Sequence, residues 1–287
     1  VIKLGQGSTM AALRLGSIGL LIILALALGL VLGLLPDRIS RLSSNTLTRG
    51  FCRLACKALG ISVEAVGAPP ADRPTLLVSN HISWTDVLAL GSLSPMIFLA
   101  RHDLAGWPLL GRLARAYGTL FVERGRRRQI PEVNRQMAEQ MASAKIVVLF
   151  PEGTTGDGTR LQKFNSSHFA APATLLANHP QTEAVTVAPV ALAYTRQGGL
   201  PLGRTGRAAI AWYGDTEFVP HLLDLVRGGK TTCRISFLPT RYFNRGTDRK
   251  TVARQTALVI QTAFRSEIMS CGAERSTTYV QSTRQVV

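Results

Sequence analysis

A histidine and an aspartate five positions apart, His81 and Asp86, follow the apolar run Thr75-Leu-Leu-Val-Ser79. An imidazole held at one nitrogen by a carboxylate can take a proton at the other, so the pair is a candidate general base with its orienting partner. Asn80 opens the polar turn that carries the histidine. Ser83 lies between the two and suggests a Ser-His-Asp hydrolase, but such a nucleophile normally sits on a Gly-x-Ser-x-Gly elbow, which this stretch lacks. Taken alone, a His and an Asp at this spacing also arise by chance.

Three further stretches carry chemistry of their own: Gly118-Thr-Leu-Phe-Val-Glu-Arg124, Phe150-Pro-Glu-Gly-Thr-Thr-Gly-Asp-Gly158 and Val187-Ala-Pro-Val190. Arg124 ends a strand-like run; its planar fork of donors suits phosphate or carboxylate, and a salt bridge with Glu123 is the structural alternative. Glycines 153, 156 and 158 allow backbone amides to approach an anion, while Glu152 can order Arg124 or accept from an acceptor hydroxyl. Pro189 interrupts a β-rich run, as prolines do at strand edges and bulges.

In this order the four blocks resemble the membrane glycerolipid acyltransferase family, over roughly residues 74–245. The resemblance implies an O-acyl transfer in which His81 is the base and Asp86 its partner. Asn80, Arg124, Glu152, Gly153, Thr154, Thr155 and Pro189 then line the substrate sites. The reaction needs no cofactor and no metal, and no metal-ligand spacing is present. It also implies a thioester donor, taken here as acyl carrier protein with coenzyme A the open alternative, and a lysolipid acceptor. The family pattern Glu-Gly-Thr-Arg reads Glu152-Gly-Thr-Thr155 here. That departure, with Val187–Thr195 and Ala209–Asp215, looks like the branch that acylates lyso-ornithine lipid. The alternative acceptor is lysophosphatidic acid, with Arg160 or Lys163 in place of the missing arginine. A non-enzyme alternative is a membrane-tethered protein that binds anionic lipid.

The elements that must position these residues alternate. Strands are expected at 74–79, 96–100, 118–122, 146–150, 184–193, 207–213 and 232–238; helices at 84–92, 106–117, 131–143, 167–177 and 248–267. This predicts an α/β fold, which the resemblance makes a single mixed-sheet domain of the glycerolipid-acyltransferase kind, with an N-terminal membrane helix. Residues 1–14 are a leader, structureless over 1–9. The uncharged run Leu15–Leu35 is long enough, at ~1.5 Å per residue, to cross ~30 Å of hydrocarbon. A cleaved signal peptide is the runner-up for that run. Residues 36–73 form a basic amphipathic membrane-associated segment, 74–268 the catalytic domain and 269–287 a flexible tail.

Arg38, Arg41, Arg49, Arg53 and Lys57 crowd the carboxyl side of the apolar run, which places the catalytic part on the cytoplasmic face of a bacterial-type inner membrane. For residues 40–60, a helix merely packed on the domain is the equal alternative to one in the headgroup layer. The 33 Lys and Arg against 17 Asp and Glu, a net +16, favour anionic partners: a bilayer or an acidic carrier. No nucleic-acid module is recognisable. Cys52, Cys56, Cys233 and Cys271 form neither a zinc pattern nor a disulfide framework.

Overall fold

The computed structural model describes residues 4–32, 37–71, 74–107, 110–116, 118–123 and 127–283. In chain order the elements are α1 (Leu4–Leu32), α2 (Asp37–Ala58), β1 (Ile61–Val66), β2 (Thr75–Ser79), α3 (Thr85–Leu93), β3 (Met96–Arg101), α4 (Leu110–Ala116), β4 (Leu120–Val122) and α5 (Ile130–Ala142). There follow β5 (Ile146–Leu149), α6 (Ala171–Asn178), β6 (Ala184–Gln197), β7 (Leu200–Pro201), α7 (Arg204–Ile210), α8 (Phe218–Arg227), β8 (Thr231–Phe237), β9 (Arg241–Asn244) and α9 (Arg249–Thr283).

The strands form one mixed sheet in the order β1-β8-β6-β2-β5-β3-β4, with β7 and β9 also paired to β6. From β6 to β4 all neighbours run parallel, so β2, β5, β3 and β4 end on one edge of the sheet. β2 and β5 read as unbroken apolar runs, buried at every residue, because helices cover both faces of a parallel sheet. Right-handed crossovers put α3 on one face and α5 and α6 on the other. α2 packs on α3, and α1 on α2, α4 and α8; α9 packs on β6 behind α6.

β6 is parallel to β2, whereas its other side is antiparallel to β9 over its first half and to β8 over its second. Pro189 falls at the handover, between the last pair with β9 at Val187 and the first with β8 at Val190. A residue without an N–H is tolerated inside a sheet at such a break. The edge or bulge expected there is therefore a change of partners in a central strand.

Several expectations are corrected. The catalytic sheet begins at Ile61, not at residue 74, because β1 lies in the segment read as membrane-associated and pairs in parallel with β8. The run 207–213, expected as a strand, is mostly α7, and α8 was not foreseen; a short apolar run cannot choose between the two states by periodicity. The leader is helical from Leu4, and α9 continues past residue 268 to Thr283 with no proline to stop it.

α2 buries Cys52, Ala55 and Cys56 against the domain, with Leu59 buried just after it, while Leu54 stays exposed. Arg49 and Arg53 donate to the Ser92 carbonyl at the end of α3, so two of the counted basic residues cap a helix. The apolar run becomes helical to Leu32, with residues 33–36 outside the described part. Among the described residues, no helix is long and apolar enough to cross a membrane. The early part of α1 is docked, Arg14 donating to the carbonyls of Val226 and Gly228 at 2.8 and 3.0 Å.

Candidate active site

His81 lies in the turn that joins β2 to α3, and Asp86 lies in the first turn of that helix. The spacing has a local cause. A carboxylate at a helix start reaches back to amides that lack helical partners, and is favoured there by the helix dipole. Asp86 Oδ2 accepts from the Ile82 and Ser83 amides at 2.6 and 2.9 Å and from His81 Nδ1 at 2.8 Å. Its other oxygen, Oδ1, accepts from the Tyr194 hydroxyl at 2.8 Å. That hydroxyl has spent its only proton, so Thr85 Oγ1, 2.5 Å away, donates to it. Asp86, Thr85 and Tyr194 are almost wholly buried.

With donors on both oxygens, Asp86 acts purely as an acceptor, which puts the proton of His81 on Nδ1. Nε2 is then the nitrogen without the proton, and the histidine side chain remains 14% exposed while Asp86 is fully buried. Phe150, from the end of β5, stacks on the imidazole with centroids 4.0 Å apart and planes 12° apart. The ring is therefore fixed both in its plane and across it.

Glu152 follows two residues later and is buried. Burial pushes its carboxyl up to about 8; the amides of His81 and Gln162 oppose the shift and the charge of Asp86 adds to it. Its Oε1 has no hydrogen-bond partner in the structure. Near neutral pH the group is held protonated, offering an O–H beside the histidine instead of a second negative charge.

The other expected site residues divide. Asn80 does not face a substrate: its side chain donates to the Leu192 carbonyl and accepts from the Leu192 amide, both at 2.9 Å, adding a rung between β2 and β6. Thr155 donates to the Trp212 carbonyl, and the Trp212 amide donates to Ile82 O at 3.0 Å, so this threonine ties its loop to the chain beyond α7. Gly156 N donates to His81 O at 2.8 Å, locking the same loop onto the catalytic turn. Gly153 and Thr154 are exposed, and Gly153 has φ +72°, a conformation a side chain would strain. Pro189 is buried opposite Val78, within the sheet. Arg124 lies outside the described residues.

Ser83 is fully buried, which rules out a nucleophilic role in this structure. Tyr194, Thr85 and Phe150 escaped attention as functional residues. Tyr194 had a signal: a tyrosine inside the apolar run of β6 must find a partner for its hydroxyl once buried. Trp84 was likewise unmarked. Its indole donates to His221 Nδ1 at 3.1 Å, which leaves His221 Nε2 to donate to the Ile210 carbonyl.

An imidazole at the carboxyl end of a parallel strand, hydrogen-bonded to a buried carboxylate, is an arrangement with the chemistry to abstract a proton. The family model for Acyltransferase matches residues 61–193, which include β1 and end inside β6. The chain is 40% identical to lyso-ornithine lipid O-acyltransferase of Rhizobium meliloti, over 72% of this chain and 71% of that one. It is 32% identical to the Brucella abortus protein of the same name, over 89% and 97%. A 1-acyl-sn-glycerol-3-phosphate acyltransferase of Neisseria gonorrhoeae is 32% identical over 68% and 72%. The crystal structure of the 1-acyl-sn-glycerophosphate acyltransferase PlsC of Thermotoga maritima shares the fold, with a TM-score of 0.65 at 16% identity over 91% and 95% of the chains. The chain belongs to the acyltransferase family and is an acyltransferase.

Proposed function

We propose that this enzyme transfers a fatty acyl chain from acyl carrier protein to the hydroxyl of lyso-ornithine lipid. The observation that carries the reading is the His81–Asp86 pair, held as a base at the strand ends in a chain 40% identical to an enzyme of that name. His81 Nε2 takes the proton of the acceptor hydroxyl as its oxygen attacks the thioester carbonyl carbon. The tetrahedral oxyanion collapses, the C–S bond breaks, and the thiolate leaves with the proton that His81 returns. Asp86 stabilises the imidazolium formed in between. Protonated Glu152 adds a donor near the developing charge.

Headgroup chemistry favours the ornithine acceptor. Position 155, where the family pattern has arginine, carries a threonine committed to Trp212 O. A phosphate monoester asks for more cationic ligation than a single carboxylate does. We place Arg124 with that carboxylate. The enzyme works at the cytoplasmic face of the inner membrane, held by α1 and α2, and the exposure of Leu20, Ile23 and Leu24 on α1 supports contact with lipid.

Initial rates with acyl carrier protein thioester and either lyso-ornithine lipid or lysophosphatidic acid test the reading. Faster turnover of the ornithine acceptor is expected. Preference for lysophosphatidic acid, which the Neisseria gonorrhoeae relative makes the second reading, overturns the acceptor and leaves the base in place.

A further inference from the structure

A cavity of about 470 Å³ opens between residues 161–166 and the first four turns of α9. One wall is the chain that runs on from Glu152, and the other is the helix stripe Lys250, Ala253, Arg254, Ala257 and Gln261. The spacing of that stripe puts its members on one helix face. Lys163, Lys250 and Arg254 are exposed around a floor that includes Leu161 and Phe164, and no carboxylate lines the cavity. The neighbouring acid, Asp248, is engaged at the start of α9 by the Thr251 amide and hydroxyl.

The groove borders the reaction site. Gln162, in its wall, places its amide at the Glu152 carboxyl and its side chain on Thr155 O, and Asn165 N donates to Pro151 O at 2.8 Å. It also lies on the α5/α6/α9 face of the sheet, across from α1 and α2. An acceptor that resides in the bilayer approaches by the α1/α2 side. The opposite face, where the groove lies, is the one such an arrangement leaves open to a water-borne donor.

We infer that this basic groove is the docking surface for the acyl donor's acidic carrier protein. The inference rests on the carrier-thioester reading above and adds the surface and its cations. Three cations line the cavity against a single neighbouring carboxylate, Asp248 beside Lys250, and this surplus attracts an acidic helix and its phosphodiester-linked arm, while Leu161 and Phe164 give the contact an apolar floor.

The test uses the full chain in detergent with holo acyl carrier protein, which binds without reacting. Binding is read by fluorescence anisotropy, and KM is measured for carrier thioester, coenzyme A thioester and acceptor. In the combined Lys163→Glu, Lys250→Glu, Arg254→Glu variant, carrier Kd and KM rise at least about tenfold, a loss of ~1.4 kcal/mol. Acceptor KM stays within about twofold, and wild-type binding weakens steeply with salt. The glutamine versions shift in the same direction by less, and serve if the reversed charges impair folding.

Unchanged carrier affinity overturns the docking surface, as does a wild type that binds no carrier. A rise in acceptor KM alone shows a lipid headgroup in the groove and also overturns it. A parallel rise in the coenzyme A KM assigns the cations to the shared phosphorylated arm, and the surface stands. If the carrier binds at the groove but its thioester is never turned over, the donor reading fails and the docking surface survives.

Discussion

The turns that follow β2 and β5 sit side by side and differ in how far they are tied down, although each buries one unpartnered oxygen, Ser83 Oγ in the first and Glu152 Oε1 in the second. After β2, the polar groups that orient His81 are all engaged: Asp86 by two amides, an imidazole and a tyrosine hydroxyl, and Asn80 by both backbone groups of Leu192. After β5, Gly153 and Thr154 are exposed, and the buried Glu152 keeps an oxygen without a partner. The first turn is rigid before any substrate arrives, as a base must be if reorganisation is not to be added to the barrier. The second is anchored through Thr155 and Gly156 but leaves Gly153 and Thr154 exposed between those ties and Glu152.

The contrast can be broken at its rigid side first. His81→Ala is expected to lower kcat by roughly 10²- to 10⁴-fold with unchanged circular dichroism, the range of a positioned general base; a variant retaining most of its activity would refute the base assignment. Asp86→Asn follows, with a loss of roughly 10²-fold or more. The amide cannot accept from four donors, so thermal unfolding should also show a cost of ~1–3 kcal/mol. Tyr194→Phe should be milder, about tenfold in kcat, or ~1.4 kcal/mol, with acceptor KM unchanged and the pH profile of kcat displaced. An unchanged profile would reduce Tyr194 to packing.

The adjustable side is sharpened by titration. The native Glu152 carboxyl holds its proton up to about 8, against 4.5 for the ordinary group. The native state therefore binds more protons than the unfolded one between those values, and stability falls as pH rises through that window by up to ~1.4 kcal/mol per unit. Glu152→Gln should flatten the slope, measured as urea midpoints at several pH values; equal slopes for both proteins would contradict the buried neutral carboxyl. The smallest effect is expected for exposed Thr154→Ala, within ~0.5 kcal/mol in stability, with any activity change confined to acceptor KM.

Much of this was legible beforehand because it is local. β2, β3, β5 and the first two-thirds of β6 announce themselves as apolar runs, and the strand-to-helix turn at 80–86 forces His81 and Asp86 together within one short stretch. Less local features were misread. β1 was assigned to a membrane segment because its pairing partner, β8, is some 170 positions away in sequence, and Asn80 was taken for a binding residue because Leu192 is just as invisible from position 80.

By itself, the sequence determined the α/β alternation, the meeting of His81 with Asp86, and the glycine-rich loop after β5, all of which depend on neighbours a few residues apart. Only the tertiary structure decided that Tyr194 on β6 closes the carboxylate's second oxygen, that Thr155 is spent on Trp212, and that Arg49 and Arg53 cap α3 instead of facing lipid. Those roles are set by hydrogen bonds between segments that meet only when the sheet and its helices pack. A buried polar group takes whatever partner the packing brings within reach.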